Sequence, residues 1–247
     1  MSVSPARGTR VLDRSLAMLF ELGEADHPLS VAELARRADL PPSTAYRLVD
    51  EFGAHGLIDR DGEGSLGLGL RLLELARRLE DRLAPSLLEP ARAVMRALAL
   101  EHDETVLLTA PAGRFAIGLD AVEPPRPVRL SLGRWRVAPM HLGASGKVLL
   151  AFLQPRAAER VLAELSAVDA ERMRAELASV RERGFAATNG ELDPGVSGVA
   201  APVLAPRGRP LAGVTLAGPS ERIAPKLDRL SEAVREAARA IELALPR

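Results

Sequence analysis

Apolar side chains recur at helical spacing three times within the first 56 residues. The first of these segments, residues 10–23, should form a surface helix that buries one apolar stripe and ends at a glycine. The second begins with Ser30 and Glu33, which have the spacing of a capping box, and runs to Ala38. The third has Pro42 in its first turn, where proline is favoured, and should end at the glycines that follow it. The apolar positions of the three helices are Val11, Leu12, Leu16, Leu19 and Phe20, then Leu34 and Ala35, then Ala45, Leu48, Val49 and Phe52.

The period of the pattern changes after the third helix. Residues 57–60 and 66–68 are short apolar segments on either side of a glycine turn, which predicts a β-hairpin. A hairpin that follows three helices is a wing, so residues 1–69 are predicted to form a winged helix-turn-helix domain. Residues 70–84 return to helical spacing up to Pro85, which predicts a linker helix. The stripe of that helix consists of Leu72, Leu75, Ala76 and Leu79.

Residues 85–247 alternate between helical and strand-like patterns. Helices are predicted over 87–100, 145–153, 156–165, 170–183 and a last segment from Leu227 to Leu245, and strands over 105–110, 115–122, 128–132, 199–204 and 211–217. Short turns join several of these strands, as is typical of antiparallel pairs. Antiparallel strands with helices packed on them define the α+β class, so we predict an α+β domain here.

The composition limits the class of protein. With 247 residues, 47% of them hydrophobic, the chain is long enough for two domains that each bury a core. No apolar run approaches the roughly 18 residues of a membrane span, and the first residues lack the apolar stretch of a signal peptide. We therefore expect a cytoplasmic protein with no membrane partner. The absence of cysteine excludes disulfides and thiolate metal sites.

Net charge indicates no particular partner, because 33 basic residues balance 33 acidic ones. Arginines that bind a phosphate backbone would have to be gathered on one face, since steering depends on the local potential. The apolar set of the third helix faces inward and leaves Ser43, Thr44 and Arg47 on the opposite face, beside Tyr46 and Asp50.

This outward face has the chemistry of a helix that reads the major groove of double-stranded DNA. Hydroxyl groups bind phosphates, and an arginine donates two hydrogen bonds to guanine. The alternative is a plain three-helix bundle with a solvated polar face. The predicted DNA-binding residues are Pro42, Ser43, Thr44, Tyr46 and Arg47 on the helix, Arg60 on the wing, and Arg7 and Arg10 ahead of the first helix.

Residues 30–61 read SVAELARRADLPPSTAYRLVDEFGAHGLIDRD, and further along the chain residues 139–153 read PMHLGASGKVLLAFL and residues 191–203 read ELDPGVSGVAAPV. These segments resemble the IclR family of transcriptional regulators, and the resemblance covers essentially the whole chain. It implies a repressor or activator whose C-terminal domain is GAF-like and binds an effector, acting as a dimer or a dimer of dimers on a palindromic operator. The chain departs from the family pattern at Leu66, Gly143 and Gly198, where the family usually has tyrosine, threonine and cysteine.

The segment Gly143-Ala144-Ser145-Gly146-Lys147 precedes an apolar helix. With Ser145 as the N-cap, free backbone N–H groups would point outward and attract a carboxylate, and Lys147 would add a charge. We therefore expect a small organic acid as effector, although a simple well-capped helix is the alternative. The resemblance implies that the pocket also uses Thr188, Glu191, Gly198, Thr215 and Ala217, and Met140 is expected to supply apolar contact.

Enzymatic alternatives find little support in the sequence. The Gly146-Lys147 pair lacks the first glycine and the Ser/Thr of a phosphate-binding loop. A Ser145–Lys147 hydrolase pair would point about 200° apart on a helix. The four histidines show no metal-binding spacing. We expect no catalytic residue, metal or cofactor; the rival hypothesis is a metabolite-binding or hydrolytic domain whose N-terminal helices serve only for oligomerisation.

Overall fold

A computed structural model describes residues 7–131 and 135–246 of the chain, with side chains from Val11 onward. The chain divides into two compact units, residues 1–82 and 83–247. The first unit contains helices and a short hairpin, and the second contains a six-stranded sheet with helices. The predicted α+β class is confirmed. In the described part of the chain, no helix is both long enough and apolar enough to span a membrane.

The N-terminal unit has the predicted order of elements. Ser30 caps the second helix: its Oγ accepts a hydrogen bond from the N–H of Glu33 at 3.2 Å, and Glu33 Oε2 accepts one from the N–H of Ser30 at 3.1 Å. The predicted capping box is therefore confirmed. The elements are α1 (Arg7–Gly23), α2 (Val31–Arg37), α3 (Pro42–Ala54), the antiparallel hairpin of β1 (Ile58–Arg60) and β2 (Leu66–Leu68), and α4 (Arg71–Leu83).

The core of this unit is small, and it uses a different face of α1 from the one predicted. The side chains of α1 that are buried are Ser15, Met18 and Leu22, which follow one another at helical spacing. Packing against α2 and β2 selects this stripe, so the predicted one is wrong. It leaves Val11, Leu12, Leu16 and Phe20 exposed, with Leu19 half-buried.

Helix α4 buries none of its side chains within the chain. Of the predicted stripe, Leu72 is half-buried, and Leu75, Ala76 and Leu79 are exposed. Its exposed large apolar residues are Leu73, Leu75 and Leu79, and Leu70 precedes them.

The C-terminal unit contains one antiparallel sheet, in the order β5-β4-β3-β8-β7-β6. Its strands are β3 (Thr105–Ala112), β4 (Phe115–Val122), β5 (Val137–Pro139), β6 (Ala186–Asn189), β7 (Val196–Leu204) and β8 (Pro210–Pro219). Its helices are α5 (Glu89–His102), which follows a π-helical turn (Ala84–Leu88), α6 (Gly143–Phe152), α7 (Pro155–Leu162), α8 (Ala167–Arg183), α9 (Ser220–Ile223), and α10 (Leu227–Ala244) after a 3₁₀ turn (Ala224–Lys226).

Helices cover both faces of this sheet, and alternate residues of the strands supply the two cores. On β7, Val199 and Ala201 pack with α5 and α10, whereas Ala200 packs with α6 and α8 on the other face. The predicted strand at 128–132 is wrong over its described residues 128–131, which form no strand. Three prolines at 124, 125 and 127 lack backbone donors, and β5 pairs with the edge of β4 instead.

Candidate functional site

The outer face of α3 carries the polar residues that the sequence placed there. Pro42, Ser43, Tyr46 and Arg47 are exposed and Thr44 is half-buried, whereas Ala45 and Val49 are buried on the opposite side. The residue before the helix is Pro41, and no side chain caps the first turn. The positive end of the helix dipole therefore faces outward without a protein carboxylate, which is favourable for a phosphate.

The wing has a mixed charge. Arg60 is exposed, and its Nη2 lies 3.8 Å from Oδ1 of Asp50 on α3, in an exposed ion pair that contributes little to stability. Asp61 shapes the turn, because its Oδ1 accepts hydrogen bonds from the N–H groups of Glu63 at 3.0 Å and Ser65 at 2.8 Å. Arg7 and Arg10 lie within α1 and not ahead of it, so their predicted placement is wrong, and their side chains lie outside the described residues.

The C-terminal unit contains a cavity, partly open to solvent, between the sheet and the start of α6. Its walls are largely apolar and are interrupted by hydroxyl groups. Seven of the nine predicted effector residues line it: Ala144, Ser145, Gly146, Thr188, Gly198, Thr215 and Ala217. The sheet brings these distant residues together, since Gly198 of β7 lies opposite Ala217 of β8 and Thr188 of β6.

Two predicted residues do not line the cavity. Met140 is fully buried in the hydrophobic cluster with Val148 and Leu149. Glu191 is directed toward Lys147 and not toward the cavity. Thr188, which does line the cavity, lies on β6.

The start of α6 differs from the prediction. Its N-cap is Leu142, so Ser145 is not the cap; it lies in the first turn, with its Oγ 2.8 Å from Oγ1 of Thr215. Gly146 allows the close approach of the preceding loop, because a Cβ atom there would lie 2.6 Å from the carbonyl oxygen of Met140.

Lys147 does not supply a charge to the cavity. Its ammonium group is buried and donates hydrogen bonds of 2.7 Å to Oε1 of Glu176 and to Oε1 of Glu191. The other oxygen of Glu191 accepts a hydrogen bond of 3.4 Å from the N–H of Gly143. A protein carboxylate therefore already lies at the start of α6. Ser145 and Lys147 point to different partners, and they do not form a Ser–Lys pair.

An arginine that the sequence analysis missed provides the positive charge of the cavity. Among the described residues that line it, Arg136 is the one cation. Its Nη1 and Nη2 each donate a hydrogen bond of 2.8 Å to a carboxylate oxygen of Asp193, which lines the cavity from another loop. The guanidinium lowers the pKa of Asp193, and the carboxylate raises the pKa of Arg136. The one feature of the sequence that could have indicated Arg136 is its position three residues before the segment 139–153, which carries the family resemblance.

The third charged residue in the lining, Asp120, is neutralised from outside the cavity. Its Oδ2 accepts a hydrogen bond of 3.0 Å from Nε of Arg92, and this carboxylate raises the pKa of the arginine. Within residues 7–131 and 135–246, no cluster of three or more histidine or acidic side chains is placed to hold a metal ion.

Two family models match the chain. The model described as "Bacterial transcriptional regulator IclR C-terminal" matches residues 85–243, and the "IclR helix-turn-helix domain" matches residues 11–62. The chain is 29% identical to the HTH-type transcriptional regulator BhcR of Paracoccus denitrificans, over 96% of this chain and 88% of the relative.

Solved structures give the same result. A regulator of this family from Silicibacter sp. TM1040 is 25% identical, with a TM-score of 0.80, over 96% of this chain and all of the other. An IclR homologue from Microbacterium hydrocarbonoxydans, complexed with 4-hydroxybenzoate, is 27% identical, with a TM-score of 0.68, over 95% of this chain and 98% of the other. This chain therefore belongs to the IclR family of bacterial transcriptional regulators, with an N-terminal helix-turn-helix domain that binds DNA and a C-terminal domain that binds an effector.

Proposed function

We propose that this regulator binds a palindromic operator as a two-fold symmetric dimer, alone or as a dimer of dimers, and that a small organic acid in the cavity changes its operator affinity. The observation that carries the proposal is the cavity itself, with apolar walls, hydroxyl groups and one arginine, Arg136, which is paired with Asp193, while the other acidic residue of the lining, Asp120, is paired with Arg92 outside it. Residues 1–69 would be the DNA-binding domain, residues 70–84 the linker helix and residues 85–247 the effector domain. The boundary between the two compact units falls within that linker.

The outer face of α3 would lie in the major groove. Arg47, which is exposed, would bind a base edge, and Ser43, Thr44 and Tyr46 carry hydroxyl groups that suit phosphates. Pro42 begins the helix whose uncapped positive end would face a phosphate. Arg60 of the wing, with Arg7 and Arg10, would hold flanking phosphates. Acidic residues on both sides of Arg60 weaken the attraction of the wing for phosphate, so we expect Arg60 to contribute least of these residues to DNA affinity.

Exposed apolar residues of α1 and α4 support the dimer. In the single chain, eight large apolar residues of these helices are in contact with solvent. They are Val11, Leu12, Leu16 and Phe20 on α1, Leu70 just before α4, and Leu73, Leu75 and Leu79 on α4. Clusters of exposed apolar side chains often mark a protein interface. A second copy of the chain would cover them, and the resulting symmetry would match the two half-sites of a palindrome.

The effector would be an acid larger than two or three carbons, because a glycine stands at position 198 in the cavity wall, where the family usually has the larger cysteine. The relative crystallised with 4-hydroxybenzoate is consistent with a ligand of that size and charge. We propose binding without catalysis, in the cytoplasm where the DNA is. The acid would act by linkage: it changes operator affinity only by its difference in affinity for the two forms of the protein.

The test is fluorescence anisotropy with labelled fragments of the DNA upstream of the neighbouring genes. We expect saturable binding to one fragment, a steep loss of affinity as salt rises, and a shift of affinity with one acid of a panel but not with its neutral amide. Binding of equal strength to unrelated DNA, or no response to any acid of the panel, would contradict the proposal.

A further inference from the structure

A six-residue loop, residues 190–195, joins β6 to β7 at the cavity. Its first and last residues are Gly190 and Gly195, with φ of +68° and +78°, in the left-handed region that favours glycine. A hydrogen bond of 2.8 Å from the N–H of Gly190 to the carbonyl of Val196 closes its base. Between the glycines, Leu192 lines the cavity and lies close to Gly143 at the start of α6. The loop therefore forms part of the cavity wall between two turns.

Two ionic contacts hold this loop, and they differ in accessibility. Glu191 is paired with Lys147, whose side chain is only 5% exposed. Asp193 is paired with Arg136, and both of these side chains are about one-third exposed, at 35% and 34%. Both Asp193 and Arg136 line the cavity, so a molecule inside it can reach this second pair and cannot reach Lys147.

The chemistry of the second pair is that of an anion site occupied by the protein. A guanidinium that donates two parallel hydrogen bonds binds any carboxylate in the same way. The start of α6, the other place for an anion, already has the carboxylate of Glu191 beside it. A carboxylate entering the cavity therefore finds its one described cationic partner at Arg136, where Asp193 competes with it.

We propose that the effector's carboxylate binds Arg136 in place of Asp193 and that this exchange releases residues 192–194 as a lid, while Glu191 keeps the loop attached to α6. This inference rests on the proposed function and specifies its ligand subsite. One carboxylate replaces another, so the charge on the guanidinium stays balanced. A partly exposed ion pair contributes little net free energy, so a ligand that also fills the apolar cavity displaces it readily.

Hydrogen–deuterium exchange of the full-length protein tests the lid. In D193N, amides of residues 190–195 should exchange about two- to fivefold faster, the range that loss of one partly exposed pair allows. The matched control is E164Q, which removes the carboxylate of an exposed pair with Arg114, 2.9 Å apart, and should leave the loop unchanged. Benzoate added to the wild type should accelerate exchange in the same loop, and benzamide should not.

Binding of benzoate is followed by the fluorescence of Trp135, the only tryptophan of the chain, which precedes Arg136. D193N should bind benzoate about two- to fivefold more tightly than the wild type, because the competing carboxylate is gone. R136Q should lose most of the preference for benzoate over benzamide. Equal affinity of wild type and D193N, an unchanged loop, or no binding of benzoate to either protein would overturn the proposal.

These outcomes separate the lid from the proposed function. If an acid shifts operator affinity equally in wild type and D193N with no change in the loop, the lid is wrong and the proposed function stands. If benzoate opens the loop but no acid of the panel changes operator affinity, the lid stands and the proposed function is wrong.

Discussion

The two units of this protein use their apolar side chains in opposite ways. The N-terminal unit leaves large apolar residues of α1 and α4 in solvent and buries a small core around Met18, Leu34 and Leu66. The C-terminal unit buries apolar residues on both faces of its sheet and keeps a cavity inside. The apolar surface that the first unit leaves in solvent supports the dimer proposed above. The first unit thus presents its binding surfaces on the outside, whereas the second has its binding site in a cavity.

The largest expected effect comes from breaking the outer surface of the first unit. Phe20→Glu places a charge in the exposed apolar face of α1, where Phe20 is 64% exposed. We expect monomers in sedimentation at micromolar concentration and operator affinity lower by about 100-fold, because the two half-sites are no longer bound together. Leu243→Glu changes a residue that is 88% exposed on α10 and is the control, with an unchanged dimer. A dimeric Phe20→Glu protein would show that this face is not the interface.

The next effect isolates the reading surface from the dimer. Arg47→Ala should weaken specific operator binding by about 1 to 3 kcal/mol and leave the fold and the dimer intact, because the side chain is exposed on α3. Arg156→Ala on α7 removes an exposed arginine from the other unit and should have no effect. Footprint titrations give both values. Unchanged affinity would leave Ser43, Thr44 and Tyr46 as the reading residues.

A pair of glycine variants tests the enclosed space of the second unit. Gly146→Ala should destabilise that unit by about 1 to 3 kcal/mol, because the new Cβ would lie 2.6 Å from a backbone oxygen. Gly198→Ala meets its neighbours at 3.6 to 3.7 Å, an ordinary contact, so it should leave stability unchanged and only reduce the space for a ligand. Urea unfolding followed at Trp135 reports on this unit alone. Equal stability of the two variants would contradict the close approach at Gly146.

The smallest effect is a pH dependence confined to the second unit. Burial lowers the pKa of His102 below its ordinary value of 6.5 and outweighs the charge of Glu101, while Arg229 and Lys226 lower it further. Because the pKa of His102 is lower in the folded state than in the unfolded state, its contribution to the free energy of unfolding is complete above pH 6.5. That contribution is lost as the pH falls through the folded-state pKa. His102→Gln should therefore lose less stability between pH 7.5 and pH 5.5 than the wild type, whereas the exposed His55→Gln should match the wild type. If the free energy of unfolding depends on pH equally in all three proteins, His102 is not the cause of the pH dependence.

Much of the N-terminal unit was predictable because its signals are local. The Ser30–Glu33 box, the proline at the start of α3 and the glycine turn of the hairpin each lie within a few residues of the element that they define. The stripe of α1 was not predictable in the same way, because the helix has apolar residues on two faces. Only its partners α2 and β2 decide which face is buried.

The cavity was only partly predictable, since strand pairing assembles it from distant segments. The family resemblance supplied Thr188, Gly198 and Thr215, and the sheet brings them to one wall. Periodicity gave no information on Arg136 and Asp193, which are 57 residues apart and lie in loops. Ser145 was misplaced as a cap because its partner, Thr215, is 70 residues away. Side-chain pairing over such separations leaves no pattern in a single sequence.

The burial of Lys147 has a practical consequence for chemical labelling. The chain contains two lysines, and the other, Lys226, is exposed at the start of α10. An amine-reactive reagent should therefore modify Lys226 quickly, and should reach Lys147 only when α6, α8 and the loop of Glu191 separate from one another. The slow rate of acetylation at Lys147, measured by mass spectrometry, therefore reports how often the effector domain opens in the wild-type protein.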